Sequence, residues 1–214
     1  MEMKNIVVIG PPGAGKGTQS ERISERLGVP HISTGDMLRE HRDLKTEHGK
    51  AREYMERGDL VPDKIMYRIL DHRLKKDDTE KGFVLDGFPR DISQAKHLEC
   101  IEKIDIVISL EVEKKNILKR LTGRRICENC GETFHLNYKP PEKEGVCTKC
   151  GSDLLQREDD KKEVIKQRLK KYREKKLPIK NFYEKKGVLR KVDGNKDIES
   201  VWNEISVILE EFIK

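Results

Sequence analysis

The stretch that most limits what this chain can become is "IVVIGPPGAGKGTQ", residues 6–19. A β-branched apolar run stops at Gly10, a loop rich in glycine and proline follows, and Lys16 comes just as helical spacing begins. Gly-x-x-x-x-Gly-Lys set between a strand and a helix predicts a phosphate-binding loop. Glycines let backbone N–H groups turn toward phosphate oxygens with no Cβ in the way. The helix adds its positive N-terminal end, and Lys16 supplies a mobile point charge for the outer phosphates. One position departs from the usual pattern. Gly17 stands where a Ser or Thr hydroxyl would ligate Mg²⁺, and Thr18 comes one residue late. The metal is therefore expected to be held less by protein than by phosphates and water.

Such a loop belongs to an α/β fold, and the rest of the chain agrees. Short apolar runs predict strands at 5–10, 30–33, 82–87, 104–110 and 188–194. Amphipathic segments at 16–28, 63–74, 113–121 and 200–214 separate them. The alternation predicts a five-stranded parallel sheet wrapped by helices. Two segments break the rhythm and read as insertions: the polar, helical residues 34–62, and residues 126–155, which hold four cysteines. A strongly basic helix is expected over 159–176. A length of 214 residues suits one sizeable domain with small insertions.

Charged residues make up 39% of the chain and the net charge is +6. A basic balance suits nucleic acid, acidic lipid or a polyphosphate ligand, but charge alone is best explained by a lysine-rich solvated surface. Aromatic residues are only 5%, with no basic and aromatic interleaving on which bases would stack. No run of 18 apolar residues is present, and "MEMKNIVVIG" has no signal-peptide cleavage site. The expected location is the cytoplasm, with no membrane partner.

Cys127-x-x-Cys130 and Cys147-x-x-Cys150 lie 16 residues apart, the spacing of a four-thiolate metal site. Gly131 and Gly151 follow the pairs, as a tight knuckle requires. Four thiolates leave no open position, so the metal would be structural. Zinc or iron satisfies the same ligands. An insert of this size cannot build its own apolar core and needs such a staple. Cys100 stands alone and is expected to pack as a small apolar side chain. The six histidines show no ligand spacing and read as surface or satisfied groups.

Six motifs occur in order: "GPPGAGKGTQ" (10–19), "STGDMLR" (33–39), "GDLVPD" (58–63), "GFVLDGFPR" (82–90), "RLTGRR" (120–125) and "REDD" (157–160). Together they resemble the adenylate kinases, of the nucleoside monophosphate kinase family, over essentially the whole chain. The cysteine insert resembles the long lid of the zinc-binding members. The resemblance implies a P-loop core at 1–33, 63–123 and 162–214, an AMP-binding insertion at 34–62, and a lid with structural Zn²⁺ at 124–161. It implies the reaction ATP + AMP ⇌ 2 ADP with Mg²⁺, in a monomer that binds no nucleic acid. On the ATP side it implies Gly13, Ala14, Gly15, Lys16, Gly17, Thr18, Arg120, Arg124, Thr133, Phe134 and Lys196. On the AMP side it implies Thr34, Arg39, Asp59, Leu60, Val61, Gly87, Arg90, Gln94, Arg157 and Arg168. Lys16, Arg90, Arg124, Arg157 and Arg168 would surround the transferred phosphoryl, and Asp86 would order the Mg²⁺ water shell.

Physical chemistry suits that set. Phosphoryl transfer asks the protein for alignment and cations rather than covalent chemistry. A phosphate acceptor is already ionised, so no general base is needed, and arginine grips phosphate bidentately. Two other readings remain at this stage. One is a kinase of the same fold acting on UMP, CMP or GMP. The other is a zinc-ribbon protein that binds nucleic acid.

Overall fold

The computed structural model describes residues 4–40, 51, 53–55, 57 and 59–213, with only the backbone of residues 39, 40 and 213. Strands β1 (Lys4–Ile9), β2 (His31–Ser33), β3 (Gly82–Asp86), β4 (Ile106–Glu111) and β8 (Leu189–Asp193) form one sheet in the order β2-β3-β1-β4-β8. Every neighbouring pair in it is parallel. The expected strands therefore form as one sheet, with small shifts at their ends.

Among the described residues the main helices are α1 (Lys16–Leu27), α2 (Thr34–Glu40), α3 (Asp63–Leu74), α4 (Ile92–Ile101), α5 (Lys114–Gly123), α6 (Lys162–Lys185) and α7 (Ile198–Ile213). A parallel sheet is covered on both faces, so its strands read as continuous apolar runs. Alternate residues divide between the two faces. Val7, Ile9, Phe83 and Leu85 pack with Met66, Leu70, Leu98, Ile179 and Tyr183 from α3, α4 and α6. Ile6, Val8, Val84 and Ile108 pack with Ile23 of α1 and with Val201, Ile205 and Leu209 of α7.

Three further strands, β5 (Arg124–Cys127), β6 (Thr133–His135) and β7 (Leu154–Leu155), form a separate antiparallel sheet in the order β6-β5-β7. Its core is small: Cys127, Phe134, Cys147 and Leu154.

Three features differ from the sequence expectations. Helix α4 was not foreseen, because its apolar pattern is short. Its start is nonetheless encoded, since Asp91 caps it by accepting from the Gln94 N–H at 3.0 Å. Helix α6 runs nine residues past its expected end at 176, straight through Pro178. Proline there removes one backbone hydrogen bond, and the burial of Ile179 and Tyr183 against the sheet holds the helix together beyond it. Cys100 is exposed, not packed. It follows the buried Leu98 by two residues in the last turn of α4, which places it on the opposite face.

Candidate active site

All five parallel strands end at one edge of the sheet, and the segments that leave that edge hold most of the motif residues. Chain connections leave β1 in opposite directions, toward β3 and β2 and then toward β4 and β8. The carboxyl end of β1 is therefore a switch point, where α/β sheets bind ligands.

The loop between β1 and α1 occupies it. Gly15 is the N-cap of α1, with φ 92°, and no side chain caps that end. The first-turn N–H groups are left for an anion. Lys16 curls over the loop and donates from Nζ to the Pro11 carbonyl at 3.1 Å. Burial pushes its pKa from 10.5 down to about 8. Asp86 opposes that shift, while Arg90, Arg168 and Arg124 add to it. One carboxylate and three arginines thus act on the Lys16 ammonium.

Asp86 ends β3, is 8% exposed, and keeps its Oδ1 buried with no hydrogen-bond partner among the described residues. A buried acceptor left unpaired costs about 1–3 kcal/mol. The departure at Gly17 opens onto this group, since a Cβ added there would lie 3.8 Å from Asp86 Oδ2. A hydrated Mg²⁺ fits the donor chemistry, because its water would supply the missing hydrogen bond.

The candidate AMP-side residues gather at the ends of β2 and β3. The Thr34 hydroxyl donates to the Asp86 carbonyl at 3.3 Å. Gly87, at φ 86°, passes so close that an added Cβ would meet Thr34 Oγ1 at 2.6 Å, so only glycine fits there. Arg90 donates from Nε to the Gly87 carbonyl at 2.6 Å, and its backbone N–H donates to Gln94 Oε1 at 2.8 Å. Gln94 is buried and donates from Nε2 to Asp63 Oδ1 at 2.8 Å. Leu60 is half-buried and Val61 buried just before α3, and Asp59 pairs with Lys171 of α6. The Arg39 side chain lies outside the described residues.

A second group sits where β5 meets the start of α6. Arg124 donates bidentately to Asp160, at 2.7 Å from Nε and 2.6 Å from Nη2. Arg168 Nη1 lies 2.9 Å from both the Asp159 carbonyl and Asp159 Oδ2. Asp160 is fully buried. Arg157 reaches Asp36 of α2 at 3.5 Å. Sequence reasoning missed Asp159 and Asp160 as holders of the arginines, although they complete the "REDD" motif.

Arg120 donates to the Ala14 carbonyl at 3.3 Å and the Lys196 carbonyl at 3.1 Å, which joins α5, the P-loop and the segment after β8. The Lys196 ammonium pairs with Glu204 at 3.1 Å. Thr133 and Phe134 lie on β6. The Phe134 ring is packed with Cys127 and Cys147, while Thr133 is exposed.

The four cysteines come together as their spacing predicts. All four Sγ atoms lie within 4.8 Å of one another. Each pair folds as the same knuckle. Cys127 donates to Glu132 O and Gly131 donates to Cys127 O, at 3.0 and 2.9 Å. Cys147 and Gly151 repeat this with Ser152 and Cys147, at 2.8 and 2.9 Å. Hydrogen bonds with Ser152 pull the Cys150 thiol down to about 5, while the Cys130 thiol, despite a backbone hydrogen bond from Glu132, is pushed up by burial and the neighbouring sulfurs, so the thiols share their protons as a set. The set fits a tetrahedral thiophilic metal.

Comparison with known proteins agrees with this geometry. A family model described as adenylate kinase matches residues 8–188. The chain is similar to an adenylate kinase of Archaeoglobus fulgidus, 51% identical over 212 residues, which covers 96% of this chain and 98% of that protein. It is similar to one of Geobacillus sp. (strain WCH70), 52% identical over 96% of this chain and 98% of that protein. A third, from Caldicellulosiruptor saccharolyticus, is 50% identical over 94% of this chain and 96% of that protein.

Proposed function

The chain belongs to the adenylate kinase family and is an ATP:AMP phosphotransferase, and from that premise we propose how its residues divide the work. ATP places its phosphates on the uncapped end of α1, with Lys16 on the outer phosphates and Arg120 and Lys196 toward the base. Asp86 Oδ1, beside the space that Gly17 leaves open, would hold the water shell of the Mg²⁺ bound with ATP, and the ion would supply charge neutralisation at the phosphates. AMP lies beside β2 and β3, with its phosphate on Arg90 and its base near Thr34, Gln94 and the Leu60–Val61 backbone. Arg124, Arg157 and Arg168 join Lys16 where charge spreads over the equatorial oxygens of the transferred phosphoryl.

The observation that carries this reading is the convergence on Lys16. Burial is the largest cause of its depressed pKa; beyond that, Arg90, Arg168 and Arg124 lower it and Asp86 raises it, so three guanidinium groups and one carboxylate act on this ammonium, an excess of positive charge that an anionic transition state would relieve. No side chain is placed as a base, because an AMP phosphate oxygen needs none.

The working division is a P-loop core (1–33, 63–123 and 162–214), an AMP-binding insertion (34–62) and a lid (124–161). What supports it is that β5 starts at Arg124 directly after α5, that α6 starts at Lys162, and that the cysteine unit has its own small core. Cys127, Cys130, Cys147 and Cys150 hold a structural Zn²⁺ in the lid. A working monomer follows from the family resemblance, and the cytoplasm, where ATP and AMP are abundant, is its proposed place.

The test is to incubate the protein with MgATP and each nucleoside monophosphate in turn and follow diphosphate formation. AMP is expected to give ADP far above the no-enzyme control. If UMP, CMP or GMP were preferred, the base assignment would fail. Elemental analysis of the purified protein should find one zinc per chain, and iron in its place would correct the metal.

A further inference from the structure

Gln94 is held at both ends of its amide. Oε1 accepts from the Arg90 N–H at 2.8 Å, and Nε2 donates to Asp63 Oδ1 at 2.8 Å. The two partners have opposite and fixed polarity. A carboxylate only accepts, and a backbone N–H only donates. Turning the amide over would set Oε1 against the carboxylate and Nε2 against the N–H, which makes two repulsive contacts out of two attractive ones. Asp63 is itself fixed at the first turn of α3, with the Ser93 hydroxyl 3.2 Å and the Tyr67 hydroxyl 3.5 Å from its Oδ2. Gln94 is anchored again through its own N–H, on Asp91 Oδ1 at 3.0 Å.

Each end of the locked amide keeps one valence: a second N–H on Nε2 and a second lone pair on Oε1. A base edge lying along it must offer an acceptor to the first and a donor to the second. Adenine does, with N1 and the N6 amino group. Hypoxanthine and guanine present the reverse, an N1–H and an O6 acceptor. We propose that Asp63 is a specificity-determining positioning residue, which fixes the polarity of the Gln94 amide and so selects adenine over 6-oxopurines in the monophosphate site. This rests on the assignment of Gln94 to the AMP base made above. Specificity here would come as much from what the lock forbids as from what it permits.

The experiment measures kcat/KM for AMP and for inosine monophosphate at saturating MgATP. The variants are Asp63→Ala, Asp63→Asn and Gln94→Leu, each beside the parent. The AMP/IMP ratio compares two substrates on one enzyme, so it does not depend on the fraction folded, and Asp63→Ser, too short to reach Gln94, serves if Asp63→Ala does not fold. Asp63→Ala is expected to lower the ratio about 10-fold, chiefly by raising KM for AMP. Asp63→Asn is expected to restore most of it, because the side-chain carbonyl oxygen it introduces still accepts from Gln94 while its NH₂ faces the two hydroxyls. A parallel fall for both substrates in Asp63→Ala, with the ratio unchanged, overturns the proposal and leaves Asp63 a purely structural role. An unchanged ratio in Gln94→Leu shows instead that Gln94 does not read the base, and both readings fall. A ratio that collapses in Gln94→Leu but holds in Asp63→Ala removes the Asp63 inference alone.

Discussion

The charge of Lys16 meets two opposing demands. In the proposed mechanism catalysis needs the ammonium, while burial, with three arginines nearby, pushes its pKa down to about 8. The folded state therefore binds this proton less tightly than the unfolded chain, and the charged form costs stability below about pH 8. That cost fades as pH rises from about 8 toward the unfolded value of 10.5. Lys16→Met is thus expected to melt higher than the parent at pH 7 without nucleotide, with the gap narrowing by pH 10, and to lose about 10²-fold or more in kcat. A lower melting point at pH 7 would show that the lysine stabilises its loop. In the parent, kcat/KM for ATP should decline above about pH 8. The kcat at saturation should hold to higher pH, because bound phosphate favours the ammonium. Local sequence revealed Lys16, Arg90 and the glycines, since each sits inside a contiguous motif. For Arg124 and Gln94 the fixing partners lie far along the chain: Asp160 for Arg124, 36 residues away, and Asp63 for Gln94, 31 residues away. Nothing in a motif says which distant carboxylate its arginine will meet, so those pairs became visible only in three dimensions.

The elements differ in how plainly the sequence wrote them. Strands β1, β3 and β4 are buried on both faces, so their apolar runs mark them with little ambiguity. Helix α6 was harder, because Pro178 signals a stop while tertiary packing carries the helix on. Its last turns are also tied by charge: Lys176 and the buried Lys180 both pair with Glu111 at the end of β4. Glu111→Leu would strand the Lys180 ammonium, and a loss of about 2–4 kcal/mol is expected in urea unfolding. An unchanged midpoint would mean that Lys180 escapes to solvent. The antiparallel unit of β5, β6 and β7 depends on something other than burial, since its core is two cysteines, Phe134 and Leu154. Cys127→Ala is expected to lower the melting point by about 5–10 °C, and a strong chelator should bring the parent down to the same value. A variant that melts with the parent, or a parent indifferent to chelator, would count against a structural metal.

At the scale of the whole molecule, α6 ties the parts together. Its Arg168 meets Asp159 in the proposed lid, its Lys171 meets Asp59 of the proposed AMP-binding insertion, and its Lys175 meets Asp91, next to Arg90 in the chain, at 2.8 Å. Arg157 and Asp36, at 3.5 Å, add a direct link between the proposed lid and insertion. Closing over two nucleotides excludes the water that would otherwise compete for the phosphoryl group. On the proposed division, the Lys171–Asp59 pair would hold the insertion in place and take no part in the chemistry. Both side chains are about a third exposed, at 33% and 39%, where an ion pair is worth about 0.2–1 kcal/mol. Lys171→Ala should therefore raise KM for AMP about 1.5- to 5-fold, because the insertion is held less firmly over its ligand. The kcat should stay level or rise, since opening for product release becomes easier. Added salt should do the same to the parent and little to the variant, because screening removes what the substitution has already removed. Steady-state kinetics at about 20 and 300 mM KCl, about 20 and 6 Å in screening length, would check this. A variant whose KM matches the parent at low salt, or falls in kcat at both, would place Lys171 in the catalytic cluster with Arg168 and not in the closing of the insertion.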